Sequence, residues 1–276
     1  MVEIVENGKA LLLRLRNPQQ VTEVIPKSKA LSNNRVVVNF GVDETQVLKN
    51  LNIQTPSPIE KQYRWTGSHE PFAHQKTTAS FLTLNRKAFC FNEQGTGKTA
   101  SAIWASDFLL SKKIINRVLV ICPLSIMDSA WRDDLFTFAP HRTVDVAYGD
   151  RKKRKDILEA GAEYIIINYD GVAIVADEIA NGDFDLVVVD EATHYKNAQT
   201  NRWKTLNKLV RPETWLWMMT GTPAAQSPLD AYGLAKLVNP TAVPRFFGSF
   251  RDQIMIKITN FKWIPKETAT DTVFRA

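Results

Sequence analysis

The stretch 88-AFCFNEQGTGKTASAIWASDFLL-110 decides the fold. It opens on a short apolar run, 88-AFCFN-92, passes through a loop with glycines at 95 and 97, and continues as a helix-like segment, 99-TASAIWASDFLL-110. In a strand–loop–helix unit of this kind, backbone N–H groups can close around phosphate oxygens with no Cβ in the way. Within 92-NEQGTGKT-99, Lys98 is then expected at the β- and γ-phosphates and the Thr99 hydroxyl on Mg²⁺. Glu93, Gln94, Gly95, Thr96, Gly97 and Ala100 complete the expected nucleotide-binding segment. The N-terminus of the following helix adds favourable dipole charge. Asn92 stands where the motif usually begins with glycine, so the strict eight-residue pattern is broken.

Outward from this unit the chain keeps alternating short apolar runs with longer amphipathic stretches. The runs are 117-RVLVIC-122, 143-TVDVAY-148, 164-YIIIN-168, 185-DLVVVD-190 and 215-WLWMMT-220. Near-continuous apolarity predicts strands covered on both faces, and strand–helix alternation predicts a doubly wound, mainly parallel α/β sheet. Ligands of such sheets sit at the carboxyl ends of the strands. There 186-LVVVDEAT-193 ends in two adjacent carboxylates. Asp190 is placed to hold Mg²⁺, and Glu191 to orient and deprotonate an attacking water in phosphoanhydride hydrolysis. Lys98, Asp190 and Glu191 are therefore the candidate catalytic residues. A third strand tip carries 220-TGTP-223, where small hydroxyls and a glycine could sense the γ-phosphate. Taken alone that segment is merely a turn.

Residues 1–65 read differently, as a small α+β appendage. The runs 10-ALLLRLR-16 and 35-RVVVNFG-41 predict strands, and 18-PQQVTEVI-25 and 43-DETQVLKNL-51 predict helices. Asp43 and Gln46 have capping-box spacing, and 54-QTPSPIEK-61 reads as a linker. The expected division is an accessory module over 1–65, an ATP-binding lobe over 66–250 and a C-terminal extension over 251–276.

Composition narrows the class without naming the chemistry. The 276 residues are 44% hydrophobic and 23% charged, as in ordinary globular proteins. No apolar run approaches the roughly 20 residues of a membrane helix, and the N-terminus has no signal-like apolar region. A cytoplasmic location is expected. Two cysteines and four histidines show no metal-ligand spacing. The net charge of +6 permits a polyanionic partner. The run 151-RKKRK-155 is either a solvated helix face or the border of a nucleic-acid track. Trp104, Trp215 and Trp217 lie in core-like runs, where packing is the expected role.

The order 74-HQ-75, NEQGTGKT, 122-CPLS-125, 166-IINYD-170, DEAT with 196-KN-197, and TGTP resembles superfamily-two helicase motors. More narrowly it resembles the Swi/Snf-type DNA translocases, among them the short phage-encoded versions, over roughly residues 70–250. The resemblance implies a RecA-like P-loop fold, two such lobes with ATP between them, and movement along double-stranded DNA. It makes Gln75 the adenine-reading glutamine. It also makes Thr220, Gly221 and Thr222 the coupling segment, and Pro123, Leu124, Ser125, Asn168 and Tyr169 contacts to DNA. Thr193 stands where the family has histidine, with His194 one place later, which puts the ATP-to-DNA coupling contact in doubt. Gln226 replaces an asparagine. Residues 251–276 show no second strand–helix series and no Q-x-x-G-R-x-x-R pattern. They fit a piece of a longer chain or a natural single lobe, and the first is preferred because a lone lobe leaves half an active site exposed. Such a lobe is expected to bind ATP and hydrolyse it slowly. Two alternatives are an RNA-directed helicase lobe of the same superfamily and a non-motor nucleotide-binding adaptor.

Overall fold

In a computed structural model, residues 1–222, 227–259 and 262–275 are described. The N-terminal strands are β1 (Val2–Val5), β2 (Ala10–Arg14), β3 (Lys29–Leu31) and β4 (Arg35–Asn39), paired antiparallel in the order β1-β2-β4-β3. Period-two alternation drives Leu11, Leu13, Val36 and Val38 to one face, where they bury against Val21, Phe40 and Leu48. Two short helices belong to this module, α1 (Gln19–Thr22) and α2 (Val42–Asn50). The expected α1 is cut to four residues.

Two expectations for this region are corrected. The helix at residue 43 starts one position earlier, with Gly41 at its N-cap, and no capping box forms. Gln46 instead donates to the Leu84 carbonyl at 2.7 Å, and Asp43 pairs with Arg86 at 3.7 Å. The stretch read as a linker holds a helix, α3 (Pro58–Gln62), with Pro58 in the first turn, where its missing N–H costs nothing. Ile59 is fully buried in the main core. Gln62 Nε2 donates to both the Gly8 and Phe40 carbonyls, at 2.9 and 2.6 Å, and so fastens the small sheet to the large domain.

The large domain runs α4 (Ala73–Thr83), β5 (Lys87–Cys90), α5 (Lys98–Ser111), β6 (Val118–Cys122), α6 (Asp133–Phe138), β7 (Val144–Val146) and α7 (Arg151–Glu159). It continues with β8 (Tyr164–Asn168), α8 (Tyr169–Ile174), α9 (Ala176–Ala180), β9 (Leu186–Val189), α10 (Asn201–Leu209), β10 (Trp215–Met219) and α11 (Ala231–Val238). Helix α12 (Phe247–Ile254), the hairpin β11 (Met255–Lys257) and β12 (Trp263–Pro265), and α13 (Ala269–Arg275) follow. The six apolar runs of the sequence form one all-parallel sheet in the order β5-β10-β9-β6-β8-β7.

Alternate residues of each central strand enter different cores. Val118, Val120, Val188 and Trp217 pack with α5, while Leu119, Ile121, Val187 and Leu216 pack on the other face. Burying both faces is what made these strands uniformly apolar. Trp104, Trp215 and Trp217 are core residues, as expected from their runs. In register, Met219 lies beside Cys90, Met218 and Ile121 beside Val189, and Cys122 beside Asn168. The residues that follow these strands therefore converge on one edge of the sheet.

Of the basic run, Arg154 departs from both expectations for it. Arg151, Lys152, Lys153 and Lys155 are exposed, but Arg154 is 4% exposed. Its guanidinium donates to the carbonyls of Ala147 and Gly149 and to Asn168 Oδ1. Among the described residues, no helix is long and apolar enough to cross a membrane.

Candidate nucleotide site at the carboxyl ends of the strands

The loop between β5 and α5 turns on Gly95 and Gly97, whose φ angles are +77° and +74°. A Cβ at Gly95 would meet open space, whereas one at Gly97 would collide with the Gln75 amide. Lys98 Nζ donates to the carbonyls of Asn92 and Glu93, both at 3.0 Å, and Thr96 Oγ1 closes the loop on the Glu93 carbonyl at 2.7 Å. Thr99 stands half-buried in the first turn of α5, and Ala100 is buried behind it. Asn92, in place of the usual glycine, donates to Thr78 Oγ1 at 2.8 Å and pins the start of the loop to α4.

Gln75 faces this loop. Its Oε1 accepts the Phe72 N–H at 2.9 Å, and its Nε2 reaches the Thr96 carbonyl at 3.4 Å. One amide hydrogen and one oxygen lone pair remain for a ligand. His74, its sequence neighbour, approaches the same carbonyl with Nε2 at 3.0 Å.

The acidic pair directly follows β9, which lies beside β10 and two strands from β5. Asp190 is 7% exposed, and burial pushes its pKa up; bonds from the Trp131 indole and the Glu191 N–H, and the nearby Lys98 ammonium, pull it back. Glu191 sits in the left-handed region, with φ +48°, an uncommon conformation for a side-chain-bearing residue. Thr220 is fully buried and its N–H continues the ladder to the Cys90 carbonyl at 3.0 Å. Thr222 N–H bonds back to Thr220 Oγ1 at 3.2 Å. A Cβ on Gly221 would touch Gln94 at 3.4 Å, so this segment lies against the phosphate-loop segment. Pro223 and Gln226 lie outside the described residues.

Lys98, Thr99, Gln75, Asp190 and Thr220–Thr222 are thus gathered at one end of the sheet. Glu93 and Gln94 are exposed on the loop. After β6, Pro123 is half-buried while Leu124 and Ser125 are exposed on a single turn of 3₁₀ helix, Leu124–Ile126. Asn168 is half-buried at the tip of β8. Tyr169 is turned inward, and its hydroxyl donates to the Asp190 carbonyl at 2.6 Å. His194, the displaced histidine, packs its ring on Tyr169 with centroids 4.6 Å apart. Trp131, Tyr169 as a bridge, and Arg202 against Tyr169 are parts of the site that residue patterns did not disclose.

A six-stranded parallel sheet with a glycine loop after its edge strand and an acidic pair two strands away is the arrangement of a RecA-like lobe. The chain belongs to the SNF2-related domain family, whose description matches residues 73–275. It is 30% identical over 167 residues to an uncharacterised ATP-dependent helicase of Mycoplasma genitalium, covering 59% of this chain and 16% of that protein. It is 28% identical over 179 residues to a protein of Acyrthosiphon pisum secondary endosymbiont phage 1, covering 61% and 39%. The ISWI chromatin-remodeling complex ATPase ISW2 of Saccharomyces cerevisiae shares 28% over 155 residues, covering 54% and 14%. Among solved structures, the Sulfolobus solfataricus SWI2/SNF2 ATPase core in complex with dsDNA matches at a TM-score of 0.60 and 23% identity, over 69% of this chain and 40% of that one. The chain spans well under half the length of these relatives.

Proposed function

We propose that this chain is the N-terminal ATP-binding lobe of a Swi/Snf-type motor that couples ATP hydrolysis to movement on double-stranded DNA. The single observation that carries the reading is the convergence of Lys98, Asp190 and Thr220 at adjoining strand ends. In this reading residues 1–65 are an accessory module, 66–250 the ATP-binding lobe and 251–276 the extension toward a second RecA-like lobe.

The residues fit a magnesium–nucleotide complex. Gly95 leaves its backbone open, and the Asp190 carboxylate keeps lone pairs beyond those taken by Trp131 and Glu191. Mg²⁺ is ordinarily held by one or two protein oxygens together with phosphates, which matches Thr99 Oγ1 and Asp190. The ion, when bound, neutralises charge on the phosphate oxygens. Lys98 exchanges the Asn92 and Glu93 carbonyls for phosphate oxygens, and the loop N–H groups from Gly95 to Thr99 surround the phosphates. Gln75 offers its remaining donor and acceptor to the N6 and N7 edge of adenine. Glu191 takes the proton from water, while Thr220, Gly221 and Thr222 report on the occupied loop. Ser125, Leu124 and Asn168 present short polar groups and backbone to DNA phosphates, a contact that carries no sequence information.

Titration calorimetry of ATP against the wild type and Lys98→Ala tests the assignment. Charge-assisted bonds to phosphate are worth about 1.5–3 kcal/mol each, so affinity should fall roughly ten- to a hundred-fold. Equal affinity would refute it. Duplex DNA and duplex RNA of equal length, compared as ligands, separate the translocase from an RNA-directed motor. An adaptor would bind ATP and neither duplex.

A further inference from the structure

Asn168 ends β8 and Tyr169 opens α8, so both stand at the strand tip assigned above to DNA. Yet Tyr169 is 7% exposed. Its ring is enclosed by those of His194 and Tyr195, at centroid distances of 4.6 and 5.8 Å, and the Arg202 guanidinium lies 5.0 Å from its centre. Arg202 in turn holds Asp170 Oδ1 at 2.7 Å and approaches His194 Nδ1 at 3.4 Å. The first two residues of α8 are thereby clamped to α10 and to the turn after Glu191.

The Tyr169 hydroxyl donates to the Asp190 carbonyl at 2.6 Å and lies 3.4 Å from the Glu191 carbonyl. Asp190 Oδ1 accepts the Glu191 N–H of the same peptide at 2.9 Å. One bond fixes the oxygen side of the Asp190–Glu191 peptide and the other its nitrogen side. That peptide sets the direction in which Glu191, with its left-handed backbone, sends its carboxylate. Burial pushes the Tyr169 pKa up, so the hydroxyl remains a donor.

We propose that Tyr169 is a positioning residue that couples the DNA-facing strand tip to the acidic pair, acting through its hydroxyl–carbonyl bond. The inference rests on the ATPase reading above. A duplex phosphate on Asn168 bears on the backbone of Tyr169, the next residue. The buried ring then passes any change of tilt to the Asp190–Glu191 peptide.

The test is the reciprocal linkage between the two ligands, since DNA must change ATP affinity by the same factor as ATP changes DNA affinity. Affinities of the whole 276-residue chain for a non-hydrolysable ATP analogue with Mg²⁺ are measured with and without a short DNA duplex. Wild type is expected to show a factor of about five or more. Tyr169→Phe keeps the ring and removes one oxygen. In this variant the linkage factor should fall to about one. A purely structural role would shift the separate affinities instead. Unchanged linkage in Tyr169→Phe, or independent binding of the two ligands by wild type, would overturn the inference. Should Tyr169→Phe fold poorly, Arg202→Gln reads the same clamp from outside, and unchanged linkage there overturns it equally. A wild type that binds no nucleotide would bring down the ATPase reading itself, and this inference with it.

Discussion

The indole N–H of Trp131 donates to Oδ2 of Asp190 at 3.0 Å, across 59 residues of sequence. It ties the irregular helical turn Met127–Arg132, which follows β6, to the acidic end of the neighbouring strand β9. Trp131 is 1% exposed, so this donor is not replaceable by water. It is one of the few groups that keep a buried carboxylate charged.

That relationship has a pH signature. Burial raises the Asp190 pKa above its ordinary 3.8, so the folded chain holds this proton more tightly than the unfolded one. The Asp190 contribution to stability is therefore most favourable below 3.8 and declines as pH rises through the raised value. Trp131→Phe raises the value further and extends the decline. A hydrogen bond to a charged acceptor is worth about 1.5–3 kcal/mol and one to a neutral acceptor about 1 kcal/mol. The variant should therefore lose about 1 kcal/mol more stability at pH 8 than at pH 4. Denaturant titrations of both proteins at the two pH values measure the difference; a loss independent of pH would contradict it.

The two loop glycines should respond differently to alanine. Both have positive φ, which costs a side-chain-bearing residue about 1–2 kcal/mol. At Gly95 the new methyl meets open space, and that backbone cost is the whole effect. At Gly97 it meets the Gln75 amide, which must leave. Gly97→Ala is thus expected to lose the preference for ATP over GTP as well as at least about tenfold in affinity, or about 1.4 kcal/mol. Competition binding with the two nucleotides distinguishes the variants.

Within 151-RKKRK-155, position 154 should stand apart. Arg154→Ala leaves the Ala147 and Gly149 carbonyls and Asn168 Oδ1 without their donor. Of these bonds only the one to the Ala147 carbonyl is fully buried, and an unsatisfied buried acceptor costs about 1–3 kcal/mol, so a loss of at least about 1 kcal/mol is expected. Lys152→Ala, on the exposed side of α7, should change stability by less than about 0.5 kcal/mol. Equal effects at the two positions would contradict the burial of Arg154.

For duplex DNA held through phosphates by one lobe, about two to four contacts give a slope of log K against log salt near −2 to −4. Fluorescence anisotropy across a salt series with two unrelated sequences checks both slope and indifference to sequence. A flat response, or a strong preference for one sequence, would count against phosphate-led binding.

The sheet was legible because both of its faces are covered. Runs such as 118-VLVIC-122 and 186-LVVV-189 leave no polar face to confuse with an amphipathic helix. The phosphate loop was legible because its glycines, lysine and threonine act within eight residues of one another. β3 was not, since Lys29, Ala30 and Leu31 are all exposed and show no alternation. Nor was α3, a five-residue helix opened by proline that looks like a connector until Ile59 finds the core. Trp131, Arg154 and the Tyr169 bridge escaped for a common reason. Their partners are carbonyls or a carboxylate brought near by the fold, and such pairings leave no local pattern.

The position of β5 has a consequence for the order in which the chain assembles. β5 is an edge strand whose sheet partner is β10, with Lys87 beside Leu216 and Cys90 beside Met219. The segment preceding the glycine loop therefore waits for a strand roughly 130 residues later in synthesis. At about 5–20 residues per second that is a delay of roughly 6–26 s on the ribosome, during which 88-AFCF-91 has no neighbouring strand. The edge of the sheet beside the glycine loop is consequently closed only after β9 and β10 have both been made. Asp190 and Thr220, which flank the loop, can join it only once those later strands are in place.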